Sequence, residues 1–278
     1  MLGALIIVFR EVIEAGLIVG IALAVTRGGR GSRQWIAGGV LAGVVGALLV
    51  AGFAEQLSAA MAGRGQELFN ASVLGLAVAM LAWHNVWMAR HGRELARELS
   101  DVGRAVASGD KTFLALGVVV GVAVLREGAE VALFLYGILI SGESGLDVIV
   151  GGFAGLGLGA LVSFLTFYGL VTIPPRRLFA VTSVLVTLLA GGLAAQGAAF
   201  LQQAGVVTAL SQTLWDTSAI LPDNSLFGRV LHTLIGYSDQ PSALQGVAYV
   251  ATILAIVVTT KFSAPPPRPT ASISAPAE

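Results

Sequence analysis

The sequence predicts an all-α integral membrane protein of seven transmembrane helices, a 3+3 inverted repeat plus one extra helix, with the N-terminus out and the C-terminus in. Three observations carry this. First, only 12% of the 278 residues are charged and 56% are hydrophobic, with a mean hydropathy of +0.85. Soluble domains run at about 25% charged residues, so this chain lacks the polar material to cover a water-facing surface. Second, the apolar residues fall into seven runs of the roughly 20 residues that cross a hydrocarbon core. Third, the basic residues between those runs alternate in side.

The runs are Leu2 to Val25, Gln34 to Ala54, Leu68 to Ala89, Thr112 to Ile140, Val148 to Val171, Leu178 to Leu201 and Ala243 to Thr260. The first is not a cleavable signal peptide: it has no basic flank, and it carries Arg10, Glu11 and Glu14. Barrel strands are about 10 residues long and alternate in polarity; these runs are longer and apolar all round. The 36 glycines suit close helix packing in a membrane.

Arg27, Arg30 and Arg33, then Arg90, Arg93, Arg97, Arg104 and Lys111, then Arg176 and Arg177, then Lys261 and Arg268 all fall on one side of the alternation. Only Arg64 and Arg229 fall on the other, with the acids Glu55, Glu67, Glu143, Asp147, Asp216, Asp223 and Asp239. The positive-inside rule makes the basic side cytoplasmic. The stretch Arg90 to Lys111, with Glu94 four residues from Arg90, reads as a short solvated helix. The tail 263–278, rich in proline, reads as disordered. The expected organisation is one transporter-like domain, 1–262. It holds a first repeat at about 2–89, a second at about 112–201, an outer loop with a short helix at 205–242 and a seventh helix at 243–260.

Equal numbers of acids and bases argue against nucleic acid as a partner. The absence of cysteine removes disulfides, thiolate metal sites and thiol catalysis. The apolar content excludes a disordered chain.

The informative charges lie inside two runs. Arg10-Glu11-Val12-Ile13-Glu14 sits in the first, and Arg126-Glu127-Gly128-Ala129-Glu130 in the fourth. A charge at the centre of a membrane helix costs about 2.5–3.5 kcal/mol on insertion scales. At 3.6 residues per turn each motif puts two carboxylates and a guanidinium on one face. Together they hold four acids and two bases, a formal balance of −2. Two helices pinned by ion pairs would be a structural explanation, but buried pairs are poor stabilisers and two carboxylates remain uncompensated. Hard oxygen ligands for a hard cation explain the excess.

The halves share more than the motif. Gly38-Gly39 and Gly46-Ala47-Leu48 in the second run match Gly151-Gly152 and Gly159-Ala160-Leu161 in the fifth. Leu68-Phe69 and Leu178-Phe179 open the third and sixth. Three spans per repeat invert the second copy relative to the first, the architecture of transporters with a site at the repeat interface. The glycines themselves read as packing contacts.

With these motifs the sequence resembles the oxidase-dependent iron permease family of Ftr-type and EfeU-type transporters. The segments Trp215-Asp216-Thr217-Ser218 and Gly236 to Gln245 add to the resemblance, which runs from Arg10 to about Tyr249. It implies high-affinity ferric iron import across the cytoplasmic (inner) membrane, with Glu11, Glu14, Glu127 and Glu130 as metal ligands and Arg10 and Arg126 as supporting charges. It implies no catalysis, no permanently bound cofactor, and Fe3+ as the transported ion. A separate ferroxidase or periplasmic peroxidase-like partner is expected by the same resemblance, since some bacterial members carry a large extracytoplasmic domain and none is expected here. Val12-Ile13 departs from the Gly-Leu common in such permeases and leaves the charged positions intact.

Asp216, Asp223 and Asp239 are candidates for an acidic outer vestibule, with turn capping the alternative for Asp216. Leu226, Phe227, Val230, Leu231, Leu234 and Ile235 recur at helical spacing after Asn224 or Ser225, predicting an amphipathic helix on the outer face. His84 and His91 read as interfacial residues, His232 as a polar-face residue of the outer helix, and Trp83 and Trp87 as a membrane-interface belt. Competing functions are transport of another hard cation or of protons, and an intramembrane enzyme. The enzyme is disfavoured because no single span pairs its glutamates with histidine.

Overall fold

The computed structural model describes residues 1–26, 31–61, 65–108, 112–169, 175–223 and 225–263. Arg27, Arg30, Arg64, Asp110, Lys111, Asn224 and the tail beyond Ser263 lie outside the described residues, as do the side chains of Glu55, Arg90, His91, Arg93, Arg176, Arg177 and Arg229.

Among the described residues the regular elements are helices: α1 (Leu2–Val25), α2 (Ser32–Met61), α3 (Gln66–Ala107), α4 (Phe113–Ile140), α5 (Gly145–Phe167), α6 (Pro175–Gln203), α7 (Leu226–Ile235) and α8 (Ala243–Ser263). Five contain stretches long and apolar enough to cross a membrane: Ser32–Phe53, Gln66–Trp87, Gly145–Phe167, Ala180–Gln203 and Ala243–Phe262. α1 and α4 have 24 and 28 residues, but each carries an arginine and two glutamates in its middle. Large apolar side chains such as Leu48, Leu49 and Phe153 stand about 70% exposed. In water such a surface would aggregate; against lipid it is the expected exterior. This is a multi-pass integral membrane protein.

One element differs from expectation. The charged stretch after Ala89 is not a separate short helix: α3 runs unbroken for 42 residues to Ala107. No proline interrupts it, and its far end is anchored. Val106 is buried against Ala22, Ile36, Leu116, Val120 and Val124, and Gly103 lies against Val25.

Glycine contacts set how the helices cross. Along α1 and α5, Gly151 faces Met1, Gly155 faces Leu5 and Phe9, Gly159 faces Phe9 and Val12, and Gly16 faces Ser163. The numbers rise together, so the two helices run parallel. Along α2 and α4, Gly39 faces Gly117, Gly43 faces Gly121 and Leu125, and Ala47 faces Gly128, again in parallel. A β-carbon on Gly43 would come within 2.7 Å of the Gly121 carbonyl oxygen, and one on Gly155 within 2.5 Å of the Leu5 oxygen. Only small residues permit this approach. α3 runs antiparallel to α4 (Ala77 by Gly137, Trp87 by Arg126) and to α6 (Leu74 by Gly197, Asn85 by Thr187). α6 and α8 are antiparallel as well, with Gln202 bonded to Ser242 and Gly191 against Tyr249.

The two halves therefore exchange helices: α2 packs on α4, and α5 packs on α1. The packing register differs by one residue from the sequence match. Adding 116 to the α1 positions Met1, Leu5 and Phe9 gives Gly117, Gly121 and Leu125, the positions met by α2. The structural partner of Gly151 is thus Gly39, not Gly38.

Two apolar clusters lie at different heights. One gathers Ala4, Ile7, Leu74, Leu81, Phe134, Ile138, Leu189 and Leu193 toward the N-terminal end of α1. The other gathers Ala22, Ile36, Val106, Leu116, Val120 and Val124 toward its C-terminal end. The charged motifs sit between them.

Candidate metal centre

Arg10, Glu11 and Glu14 are buried on α1, and Glu127 and Glu130 on α4. Helical spacing pairs the ends of each motif. The Arg10 guanidinium donates through Nε to Glu14 Oε1 at 2.9 Å, and Arg126 Nε donates to Glu130 Oε1 at 3.0 Å. Each arginine thus neutralises one carboxylate of its own helix and leaves Glu11 and Glu127 without a guanidinium hydrogen bond from the described residues.

A third helix completes the cluster. His84 of α3 is 1% exposed and stands between the two motifs. Its Nε2 lies 3.2 Å from Glu14 Oε2 and 3.8 Å from Glu11 Oε2, while Nδ1 pairs with Glu130 Oε2. The ring touches carboxylates of both α1 and α4. Glu11, His84, Glu127 and Glu130 each offer a ligand atom, and these atoms lie within 4.8 Å of one another. Glu11 Oε2 and Glu127 Oε2 are buried and receive no hydrogen bond from the described residues. A buried carboxylate oxygen without a donor is costly, and a cation is the ligand that would satisfy two of them at once.

His84 is therefore not the interfacial residue its place near the end of an apolar run predicts. The next residue, Asn85, fixes the helix that carries it: Asn85 Nδ2 donates to Thr187 Oγ1 at 3.1 Å, and the Ser183 hydroxyl donates to Asn85 Oδ1, tying α3 to α6. Trp87 is not simply a belt residue either. The Arg126 guanidinium lies 4.3 Å from its ring centre, a cation–π contact. Trp83 is exposed. The signal for His84 lay in its neighbours: a His-Asn pair within an apolar run places two polar groups in hydrocarbon, which calls for partners.

The outer aspartates are placed apart from this centre. Asp216 is exposed and accepts both the Ser218 amide and the Ser218 hydroxyl on Oδ1, which hold it below the ordinary aspartate range. Asp223 and Asp239 cap each other: the Asp239 amide donates to Asp223 Oδ1 at 3.0 Å, and the Asp223 amide to Asp239 Oδ2 at 3.1 Å. Burial, and then the charge of Asp239, hold Asp223 above its ordinary range. The Thr217 amide donates to the Asp239 carbonyl and the Tyr237 hydroxyl to that of Leu221. The three aspartates thus brace one folded loop.

The iron permease FTR1 family is matched over residues 1–263. The chain belongs to that family. Ferrous iron permease EfeU of Escherichia coli O6:H1 (strain CFT073) is 30% identical over 266 residues, covering 94% of this chain and 95% of that protein. Its namesake in Escherichia coli O157:H7 aligns to the same extent. Ferrous iron permease EfeU of Shigella flexneri is 30% identical over 202 residues, 72% of this chain and 85% of the relative. No solved structure matches the chain. As an FTR1-family permease, the chain is a membrane protein of iron transport.

Proposed function

We propose that the chain imports iron through one centre made of both Arg-Glu-x-x-Glu motifs and His84. The observation that carries this is the convergence of Glu11, His84, Glu127 and Glu130 between two apolar clusters. Seven helices, α1 to α6 and α8, span the membrane with the N-terminus outside, supported by their alternating packing directions and the basic inner loops. The inner membrane is the expected location, with a separate ferroxidase or peroxidase-like protein as partner.

Arg10 and Arg126 hold Glu14 and Glu130 and lower repulsion among the carboxylates. The arriving ion exchanges water for the oxygens of Glu11 and Glu127, and for a ring nitrogen of His84 as the imidazole, set between carboxylates, releases a proton to water. It leaves inward when α1 and α4 shift against each other. Iron is the substrate, and nothing else need be bound for this work.

Charge and ligand type favour a divalent ion. The motifs carry a formal −2, which Fe2+ neutralises, and an imidazole among the ligands suits ferrous iron. The curated relatives are named as ferrous permeases. Ferric ion is the second reading, supported by the hardness of the four carboxylates.

The test is labelled-iron uptake by cells lacking their own high-affinity system. Wild type should accumulate iron, faster from anaerobic Fe2+ than from ferric citrate, and Glu11→Ala/Glu127→Ala should fall to background. Uptake unchanged in that double variant would sink the proposal; a preference for ferric citrate would select the second reading.

A further inference from the structure

Near the N-terminal end of α1 a cavity of about 30 Å³ lies among α4, α6 and α7, lined by Ser141, Glu143, Gln196 and His232 over a floor of Ile138 and Leu193. It has room for a water-sized guest. Its polar groups come from separate parts of the chain, and local chemistry fixes each.

His232 is set by the end of α7. Gly236 takes a left-handed conformation (φ 68°) and caps the helix by donating its amide to the His232 carbonyl. The turn is pressed onto α6 at Gly192, where a β-carbon would lie 2.7 Å from the Gly236 Cα. This geometry brings the Tyr237 carbonyl oxygen to 2.7 Å from His232 Nδ1. A carbonyl only accepts, so Nδ1 carries the proton and Nε2 is the lone-pair nitrogen in the neutral ring. An imidazole whose other nitrogen donates to a backbone carbonyl has the orientation of a metal ligand.

Glu143 already holds a cationic group: the Met1 amino group donates to its Oε2 at 2.9 Å. Below, Ile138, Phe134 and Glu130 follow at i, i−4 and i−8 on one face of α4. The cavity floor is therefore about 12 Å along the helix from the carboxylate centre. Fully buried Ile7 and Phe134 lie between.

We propose that this cavity is a second metal site, taking one divalent cation through His232 Nε2 and the Glu143 carboxylate, with Gln196 and Ser141 supplying further oxygens. It stages the ion outside the Ile7–Phe134 barrier before the central site receives it. The proposal deepens the import reading and rests on it for the direction of movement.

The test is equilibrium binding of Fe2+ to the full chain in detergent under anaerobic conditions. Wild type should bind two ions, Glu11→Ala/Glu127→Ala one, and His232→Asn one. The combined variant should bind none. Asparagine keeps a donor where Nδ1 stands and removes Nε2, so the α7 turn persists. Glu143→Gln, on another element, should weaken the same ion about tenfold or more. Two ions in His232→Asn, or an ion in the combined variant, would overturn the proposal. A single wild-type ion lost with Glu11 and Glu127 would overturn it and leave the import reading standing. No bound ion in wild type would overturn both.

Discussion

The two copies of the charged motif have the same letters and unlike surroundings. Arg10 is 3% exposed and its pair with Glu14 is wholly buried. Arg126 is 36% exposed, and its guanidinium lies over Trp87. Both arginines make the same i to i+4 bond, at 2.9 and 3.0 Å. The exchange of helices around them is also nearly symmetric, α5 on α1 and α2 on α4. What breaks the symmetry is α3, which lends His84 to the centre and Trp87 to the second motif. α6, the third long helix of the second half, places Gln196 at the cavity by Glu143 and His232 instead. The two halves thus place like charges side by side, while α3 alone adds an imidazole between them.

The sharpest way to break this comparison is to remove each arginine. Arg10→Met leaves a buried Glu14 with His84 as its remaining partner and should cost about 3 kcal/mol of stability. Arg126→Met, at a partly exposed site, should cost about 1 kcal/mol or less. Denaturant unfolding in detergent would show it, and equal losses would mean that the two motifs are equivalent after all.

Next comes His84. His84→Gln keeps a polar group but loses the imidazole bridge between Glu14 and Glu130, and iron uptake should fall roughly ten- to a hundredfold. Asn85→Ala should cost less, about 0.6 kcal/mol for a membrane hydrogen bond, with uptake reduced in proportion to lost protein. Equal uptake defects in the two variants would make His84 a structural residue only.

The register of the repeat gives a third comparison. Gly39→Ala and Gly151→Ala drive a methyl into the Gly117 and Met1 carbonyls and should each cost about 1–3 kcal/mol. Gly38→Ala has nothing within 4 Å, and Gly152→Ala meets only ordinary contacts; both should be tolerated in the same unfolding assay. The reverse pattern would restore the sequence register.

The smallest effects lie in the loop between α6 and α8, where Asp216 and Asp223 are shifted in opposite senses. Asp216 is held low by Ser218. It contributes stability above its unfolded pKa that is lost as pH falls through its folded value. Asp223 is held high by burial and Asp239. Its folded state favours the proton, so stability declines as pH rises from the ordinary aspartate range (about 3.9) through the raised value. Asp223→Asn should therefore raise the midpoint of thermal unfolding slightly near neutral pH, and Asp216→Asn should lower it. A drop in Asp223→Asn would mean that its reciprocal bonds with Asp239 outweigh the repulsion.

Much of this was legible in the chain. Apolar runs of membrane length place every long helix, because burial in lipid demands length and little else. The paired motifs stood out because uncompensated carboxylates in hydrocarbon are costly, and the structure brings Glu11, Glu127 and Glu130 together. For His84 the sequence offered only the adjacent polar pair His84-Asn85 within an apolar run. The crossing of α3 against α1 and α4 brings it to the glutamates. The one-residue shift from Gly38 to Gly39 was hidden because adjacent glycines match in either register, and contact alone distinguishes them. The length of α3 could have been read from the absence of proline after Ala89. The roles of Asp223 and Asp239 could not, since each depends on the other's backbone 16 residues away.

The central claim is that both motifs and His84 form one iron site. Anomalous diffraction at the iron edge, on crystals of the full chain loaded anaerobically with Fe2+, tests it most directly. An iron peak is expected between α1, α3 and α4 in contact with Glu11, His84, Glu127 and Glu130, and its loss in Glu11→Ala/Glu127→Ala. Iron bound to one motif alone, or a central iron that persists in that double variant, would contradict it.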